Sequence, residues 1–205
     1  EGIDKLAVPY IVQSLGVEVG DPIFRHSIKD IKTRLNALPE VRAAKVERRL
    51  PDTLYVEIVE RKAFALWQNK GEYKLIDLDG TVLLNQERDA STHYIVMTGE
   101  DVPAHTQAFL DMVEKTPELK SRIDTAMRVG GRRWDVKMHG GIVVKLPDNN
   151  PEKAWEIFDK LEREQQLLER AIQSIDMRIE DRLFLKMDPI EPAADKPKKT
   201  TARDI

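Results

Sequence analysis

The stretch between residues 27 and 61 constrains the fold more than any other part of the chain, because it specifies a helix, a strand, a turn and a second strand in that order. Ser27 is a predicted N-cap, with Asp30 three residues further on. Pro39 disfavours helical geometry at the residue before it and therefore ends the helix. Four apolar residues between these two signals recur at the spacing of one helix face: Ile28, Ile31, Leu35 and Leu38.

Two strands joined by a tight turn follow this helix. The sequence predicts the first at residues 41–49 and the second at residues 54–60. Pro51 presets φ and the side chain of Asp52 can bond the backbone beyond it, so residues 50–53 predict the turn. In the second strand, apolar residues alternate with Tyr55 and Glu57, as expected for a strand with one buried face. The segment therefore predicts a small α+β module.

Five short motifs accompany these elements in a fixed order: Gly20-Asp21, Leu38-Pro39, Pro51-Asp52, Glu60-Arg61 and Ala65-Leu66-Trp67. Elements and motifs together resemble a POTRA domain, a module of cell-envelope proteins, and more narrowly the POTRA domain of the FtsQ (DivIB) family of bacterial cell-division proteins. Glu40 and Ala63 depart from the family pattern, in which an aromatic residue and a proline are common at these positions.

The chain after residue 61 predicts a β-rich domain with two helices, at residues 103–115 and at 150 to about 169. Asn150 followed by Pro151 is a strong start signal for the second helix. This order also resembles the FtsQ family, in which the region forms an open sheet. The predicted strands are 64–67, 73–76, 81–84, 94–97, 123–129, 134–138, 142–146, 175–179 and 183–187.

The predicted fold class is therefore α+β, with a small POTRA-type module followed by an open antiparallel β-sheet domain packed with helices. The POTRA domain is assigned to residues 1–61, and we expect its first strand to be truncated at Glu1-Gly2. The β domain is assigned to residues 62–187. Residues 188–205 are rich in proline, lysine and aspartate without an apolar pattern, which predicts a disordered tail.

Composition excludes several classes of protein. A net charge of −3 argues against a nucleic-acid partner, since a binding surface for nucleic acid carries a basic excess. The absence of cysteine excludes disulfides and thiolate chemistry. No run approaches the roughly 20 apolar residues of a membrane helix. The resemblance implies that one membrane helix precedes this chain, which would place the chain in the periplasm, attached to the inner membrane at the division septum.

Catalytic and metal-binding patterns are absent from the sequence, so we predict no enzyme activity, no cofactor and no metal. The four histidines, at positions 26, 93, 105 and 139, show no metal-ligand spacing and are interpreted as surface or turn residues. No phosphate-binding loop or nucleophile motif occurs. The clustered carboxylates fit the solvated face of a long helix.

The last predicted strand, residues 183–187, carries apolar residues almost without alternation. The residues alone leave two interpretations open. The strand is either buried on both faces, or it is a sheet edge whose free N–H and C=O groups accept a strand from a partner.

The resemblance favours the edge, because FtsQ binds the small division protein FtsB by extending its sheet at the C-terminal strand. Arg132 or Arg133 corresponds to a family arginine that pairs with acidic partner residues, which suits the planar guanidinium. Ile179 stands where better-known members have a tyrosine. The residues that the resemblance places on this surface are Arg178, Ile179, Leu183, Phe184, Leu185, Lys186 and Met187.

In the POTRA module, residues 44–48 correspond to a strand implicated in recruiting other division proteins, with Val46 and Arg48 as candidate contacts. An ordinary sheet strand explains the same pattern equally well.

The resemblance implies a non-enzymatic scaffold that holds FtsB and FtsL and thereby recruits and regulates the septal peptidoglycan synthase pair FtsW–FtsI. The alternative is a POTRA chaperone or transport module of outer-membrane protein assembly or secretion. That class would be expected to continue into a β-barrel, whereas the residues after Met187 are hydrophilic.

Overall fold

Two separate sheets, each with its own hydrophobic core, make up the computed structural model, which describes residues 8–84, 88–89 and 91–187. The predicted truncated strand at Glu1-Gly2 and the predicted tail at residues 188–205 lie outside the described residues.

The first unit contains two helices and a two-stranded antiparallel sheet. The Ser27 hydroxyl accepts a hydrogen bond from the backbone N–H of Asp30 (3.4 Å), which is the predicted N-cap. A core of seven buried residues joins the helices to the sheet: Ile11, Ile31, Leu35, Val41, Ala44, Val46 and Ile58. The elements are α1 Val8–Leu15, α2 Ile28–Asn36, β1 Val41–Arg49 and β2 Thr53–Glu60.

The second unit is a nine-stranded sheet with helices, and the order of its strands is β11-β10-β9-β8-β7-β6-β3-β4-β5. The helices are α3 Val102–Val113, α4 Pro117–Lys120 and α5 Pro151–Gln165, followed by a 3₁₀ turn at Leu167–Glu169. The strands are β3 Ala65–Asn69, β4 Glu72–Ile76, β5 Val82–Leu83, β6 Ile95–Thr98, β7 Ile123–Val129, β8 Arg133–Met138, β9 Val143–Lys145, β10 Ile172–Asp176 and β11 Phe184–Met187.

The α+β class, with a POTRA-like unit before a sheet packed with helices, is confirmed, but the sheet is mixed rather than antiparallel. The pairs β3–β6, β6–β7 and β9–β10 are parallel. A parallel pair needs a long crossover connection. Helices α3 and α4 supply it between β6 and β7, and α5 supplies it between β9 and β10.

Helices α3 and α5 pack against one face of this sheet. Phe109 of α3 lies against Trp134 of β8, with ring centroids 4.7 Å apart. The fully buried Trp155 of α5 donates its indole N–H to the hydroxyl of Thr116 (2.7 Å). The helix α5 ends before the predicted position because Gln166 takes a left-handed conformation, with φ of 51°.

The two units are joined directly at Arg61. The backbone N–H of Arg61 donates to the carbonyl oxygen of Glu40 in the first unit (2.8 Å). Its guanidinium binds the carboxylates of Asp77 and Asp79 in the turn between β4 and β5. Asp77 is also fixed from within the turn, because its Oδ1 accepts the backbone N–H groups of Asp79 and Thr81 (3.0 and 2.7 Å). The end of β2 is therefore tied to the second unit by charge as well as by the chain.

Candidate functional site

Strand β11 is the outermost strand at one end of the nine-stranded sheet. It pairs with β10 on one side, and no strand among the described residues pairs with its other side. Its apolar side chains are 50% (Phe184), 40% (Leu185) and 54% (Met187) exposed. Of the two interpretations that the sequence leaves open, the strand buried on both faces is wrong and the exposed edge is what the structure shows.

The exposed side chains of β11 lie on both faces of the sheet. Side chains alternate along a strand, so Phe184 and Lys186 share one face while Leu185 and Met187 share the other. Leu183, just before the strand, is partly buried against the main core. An added strand would therefore meet apolar contacts above and below its backbone.

A groove of about 800 Å³ lies beside the start of β11, between the carboxyl ends of β9 and β10 and the first turns of α5. Residues 147–150 and Lys153 form one wall, and residues 176–184 form the other. Leu185, Lys186 and Met187 lie further along β11, outside the groove. Six predicted site residues line it: Arg132, Arg133, Arg178, Ile179, Leu183 and Phe184.

Arg178 and Ile179 lie in the turn after β10, not in the strand that the sequence predicts at residues 175–179. The strand ends at Asp176, whose Oδ1 accepts the backbone N–H of Arg178 (3.1 Å) and so bends the chain. The Arg178 guanidinium holds the same carboxylate through Nε to Oδ1 (2.9 Å) and Nη2 to Oδ2 (2.6 Å). This hydrogen bonding by Arg178 holds the pKa of Asp176 below its usual value.

The two adjacent arginines at the start of β8 differ in accessibility. Arg133 is only 16% exposed, and its Nε donates to Asp135 (3.2 Å). Arg132 is 66% exposed, and its Nε lies 3.3 Å from Asp148, which is itself 42% exposed. An ion pair this exposed contributes little to stability, so Arg132 can exchange its partner readily. Arg132 is therefore the better candidate of the two for pairing with an acidic partner.

An ion pair crosses the mouth of the groove. The Nζ of Lys153, in the first turn of α5, lies 3.4 Å from Oε1 of Glu180 in the β10–β11 turn. Both side chains are more than half exposed, so a ligand entering the groove can displace this contact at low cost.

Val46 and Arg48 lie in the first unit and have structural roles. Val46 is buried in the core of that unit. Arg48 donates from Nε to the carbonyl oxygen of Ile23 (2.9 Å) and from Nη2 to that of His26, and its guanidinium lies 5.2 Å from the ring centroid of Phe24. These contacts hold residues 23–26 against β1. A recruiting role for this strand stays a prediction.

Two histidines that are far apart in the sequence come together in the fold, which the sequence spacing did not indicate. The Nε2 atoms of His93 and His139 are 3.4 Å apart. The other two histidines lie beside carboxylates, His26 at 2.9 Å from Asp21 and His105 at 3.3 Å from an aspartate one helical turn away. Among the described residues, no three histidine, aspartate or glutamate side chains cluster in a way that could hold a metal ion.

The family models match both units of the chain. The model described as "POTRA domain, FtsQ-type" matches residues 1–61, and the model described as "Cell division protein FtsQ/DivIB, C-terminal" matches residues 65–178, more than half of the chain. The chain belongs to the FtsQ/DivIB family. The FtsQ resemblance stated from the sequence is therefore confirmed.

Curated FtsQ proteins align over most of the chain. The "Cell division protein FtsQ" of Rhizobium meliloti (strain 1021) is 32% identical over 179 residues, which cover 87% of this chain and 58% of that protein. The FtsQ of Caulobacter vibrioides (strain NA1000 / CB15N) is 29% identical over 198 residues, which cover 95% of this chain and 66% of that protein. The chain thus spans roughly three fifths to two thirds of these FtsQ proteins.

Among solved structures, the major extracytoplasmic domain of DivIB from Geobacillus stearothermophilus aligns with 12% identity and a TM-score of 0.39, over 52% of this chain and 95% of that one. Within the part of this FtsQ-family chain that the structure describes, no helix has both the length and the apolar character to cross a membrane.

Proposed function

We propose that this FtsQ-family chain is a non-enzymatic scaffold of the divisome that binds FtsB by strand addition at β11. The observation that carries the proposal is the exposed edge of β11, with apolar side chains on both faces. An exposed apolar edge strand is a template on which a strand from another chain can pair. A strand from a partner would satisfy the outward N–H and C=O groups and cover these side chains.

The groove beside β11 supplies the charged part of the proposed contact. Arg132 and Arg178 are both accessible, at 66% and 46% exposure, and both lie near the start of the strand. The ion pair of Arg132 with Asp148 is exposed on both sides, whereas Arg178 is held by Asp176, which is only 20% exposed. An acidic side chain on the partner could accept two parallel hydrogen bonds from either guanidinium. Charged contacts of this kind would fix the position of the added strand, while the backbone and the apolar side chains supply most of the affinity.

Membership of the family supports a wider role in the divisome. We propose that FtsL joins the complex together with FtsB, and that the assembly recruits and regulates the septal synthase FtsW–FtsI. We also propose that the chain works in the periplasm, held to the inner membrane by a helix outside this chain. The alternative, a POTRA chaperone or transport module, is less well supported because the FtsQ/DivIB C-terminal model matches residues 65–178.

Calorimetric titration of the chain with a peptide from the periplasmic half of its cognate FtsB tests the proposal. Phe184→Pro and Leu185→Pro are compared, because successive backbone N–H groups of a strand point to opposite sides. One of the two prolines removes an outward donor, and the other removes a donor that faces β10. We expect at least one of these variants to stay folded and to lose binding.

Side-chain variants with matched exposure complete the test. Phe184→Ala is compared with Tyr73→Ala on β4, because the two aromatic side chains are 50% and 57% exposed. Arg132→Glu is compared with Arg25→Glu, at 66% and 65% exposure. Binding that weakens equally in a variant and its control would contradict a contact at β11 and its groove.

A further inference from the structure

The His93–His139 pair lies away from the β11 edge and groove. The two rings are in an edge-to-face arrangement, with centroids 5.3 Å apart and planes at 74°, and their Nε2 atoms are 3.4 Å apart. Both residues are exposed to solvent. The pair joins the segment that leads into β6 to the turn between β8 and β9.

The backbone on each side of the pair is held in place. The N–H of His139 donates to the carbonyl oxygen of Arg122 (2.7 Å), and Gly141 closes the turn by donating to Met138 (2.9 Å). His93 precedes Tyr94, which is 7% exposed and belongs to a small core cluster. The His139 backbone is therefore held by hydrogen bonds, and His93 lies next to a buried residue.

The separation of the two nitrogens is the one that a shared metal ion requires. Zinc binds histidine nitrogen at about 2.0–2.1 Å and prefers tetrahedral geometry, which places two ligand nitrogens about 3.4 Å apart. A shared proton satisfies the same pair of nitrogens when no metal is bound, with one ring donating and the other accepting. The distance between the two Nε2 atoms therefore suits either a hydrogen bond between the rings or a metal ion bound by both.

We propose that His93 and His139 bind one divalent transition-metal ion through their Nε2 atoms, with water molecules as the remaining ligands. Imidazole suits copper, nickel and zinc, and for a given site Cu²⁺ is expected to bind most tightly of the three. The described residues offer no cluster of three or more candidate ligands, so the site is open and exchanges its metal. The bound ion would clip the β8–β9 turn to the start of β6.

Isothermal titration calorimetry of the untagged chain with CuCl₂, and separately with ZnCl₂, tests the site. We expect one ion per chain, and binding at least tenfold weaker in His93→Ala and in His139→Ala. His105→Ala is the matched control, because His105 is also accessible, at 45% exposure, and has a carboxylate rather than a histidine beside it. Unchanged affinity in either pair variant, or an equal loss in His105→Ala, would overturn the proposal.

Two further readouts distinguish binding at the pair from non-specific binding. Imidazole must be neutral to bind a metal, so affinity should fall as the pH is lowered. Saturating Zn²⁺ should raise the Tm of the native chain and leave the Tm of His93→Gln unchanged. Equal shifts in both chains would show that the ion stabilises the protein elsewhere. Neither measurement involves FtsB, so its outcome tests the metal site independently of the scaffold proposal.

Discussion

Replacing Arg61 by methionine should destabilise the second unit. Among the described residues, Arg61 is the only cationic side chain that forms an ion pair with Asp77. Asp77 is 5% exposed and Arg61 is 18% exposed at their side chains. Removing one partner of a buried ion pair costs about 3–5 kcal/mol. Asp77 keeps two backbone N–H donors, and the pair is not fully buried. We therefore expect the free energy of unfolding to fall by about 2–3 kcal/mol, toward or below the low end of that range.

Urea unfolding at neutral pH, followed by tryptophan fluorescence, measures this change. All three tryptophans, at positions 67, 134 and 155, lie in the second unit, so the signal reports on the unit that contains Asp77. Asp79→Asn is the control, since this carboxylate contacts the same guanidinium but is 45% exposed. Its loss should cost about 0.5 kcal/mol. A fall of less than about 1 kcal/mol in Arg61→Met would refute the reasoning that this ion pair is a buried one.

Three other substitutions have defined outcomes. Gly80→Ala should lower the Tm sharply, because φ is +78° and the new Cβ would lie 1.8 Å from the carbonyl oxygen of Pro103; an unchanged Tm in thermal unfolding would contradict this close approach. Thr116→Val should lower the free energy of unfolding, measured in urea, by about 1–3 kcal/mol, because the buried indole N–H of Trp155 loses its acceptor. The pKa of Asp101 is lowered, mainly by its hydrogen bond from Arg128. This stabilisation is present above the unfolded pKa near 4 and disappears as the pH falls through the lower folded value. The difference in unfolding free energy between the native chain and Arg128→Gln should therefore shrink below about pH 4, and a difference that grows there would contradict the assignment.

Local signals in the sequence were enough to predict the hairpin of the first unit. The predicted first strand, residues 41–49, agrees with β1, because Pro39 and the Pro51-Asp52 turn define its ends. The predicted strand at 123–129 also agrees with β7. Strand periodicity does not contain the order of strands in the sheet, so the three parallel pairs were missed.

At the candidate site, too, the sequence predicted the local elements but not their positions in the sheet. The apolar run at residues 183–187 indicated a strand, but only the sheet order showed that β11 lies at an edge. Arg132 and Arg133 could not be separated by sequence, because their exposure depends on where β8 begins and which carboxylate lies nearby. The His93–His139 contact was missed because it is made across the sheet by residues that have no local spacing in common.

The order of the strands sets a large distance between the junction with the first unit and the β11 edge. Arg61 attaches the first unit beside β4 and β5, at one end of the sheet, and β11 lies at the opposite end. Eight interstrand spacings of about 4.8 Å separate the two outer strands, a span of roughly 38 Å. A rotation of about 10° at Arg61 would then carry β11 through roughly 7 Å, by the geometry of that span. A small change in the angle between the two units at Arg61 would therefore move a partner bound at β11 by a large distance.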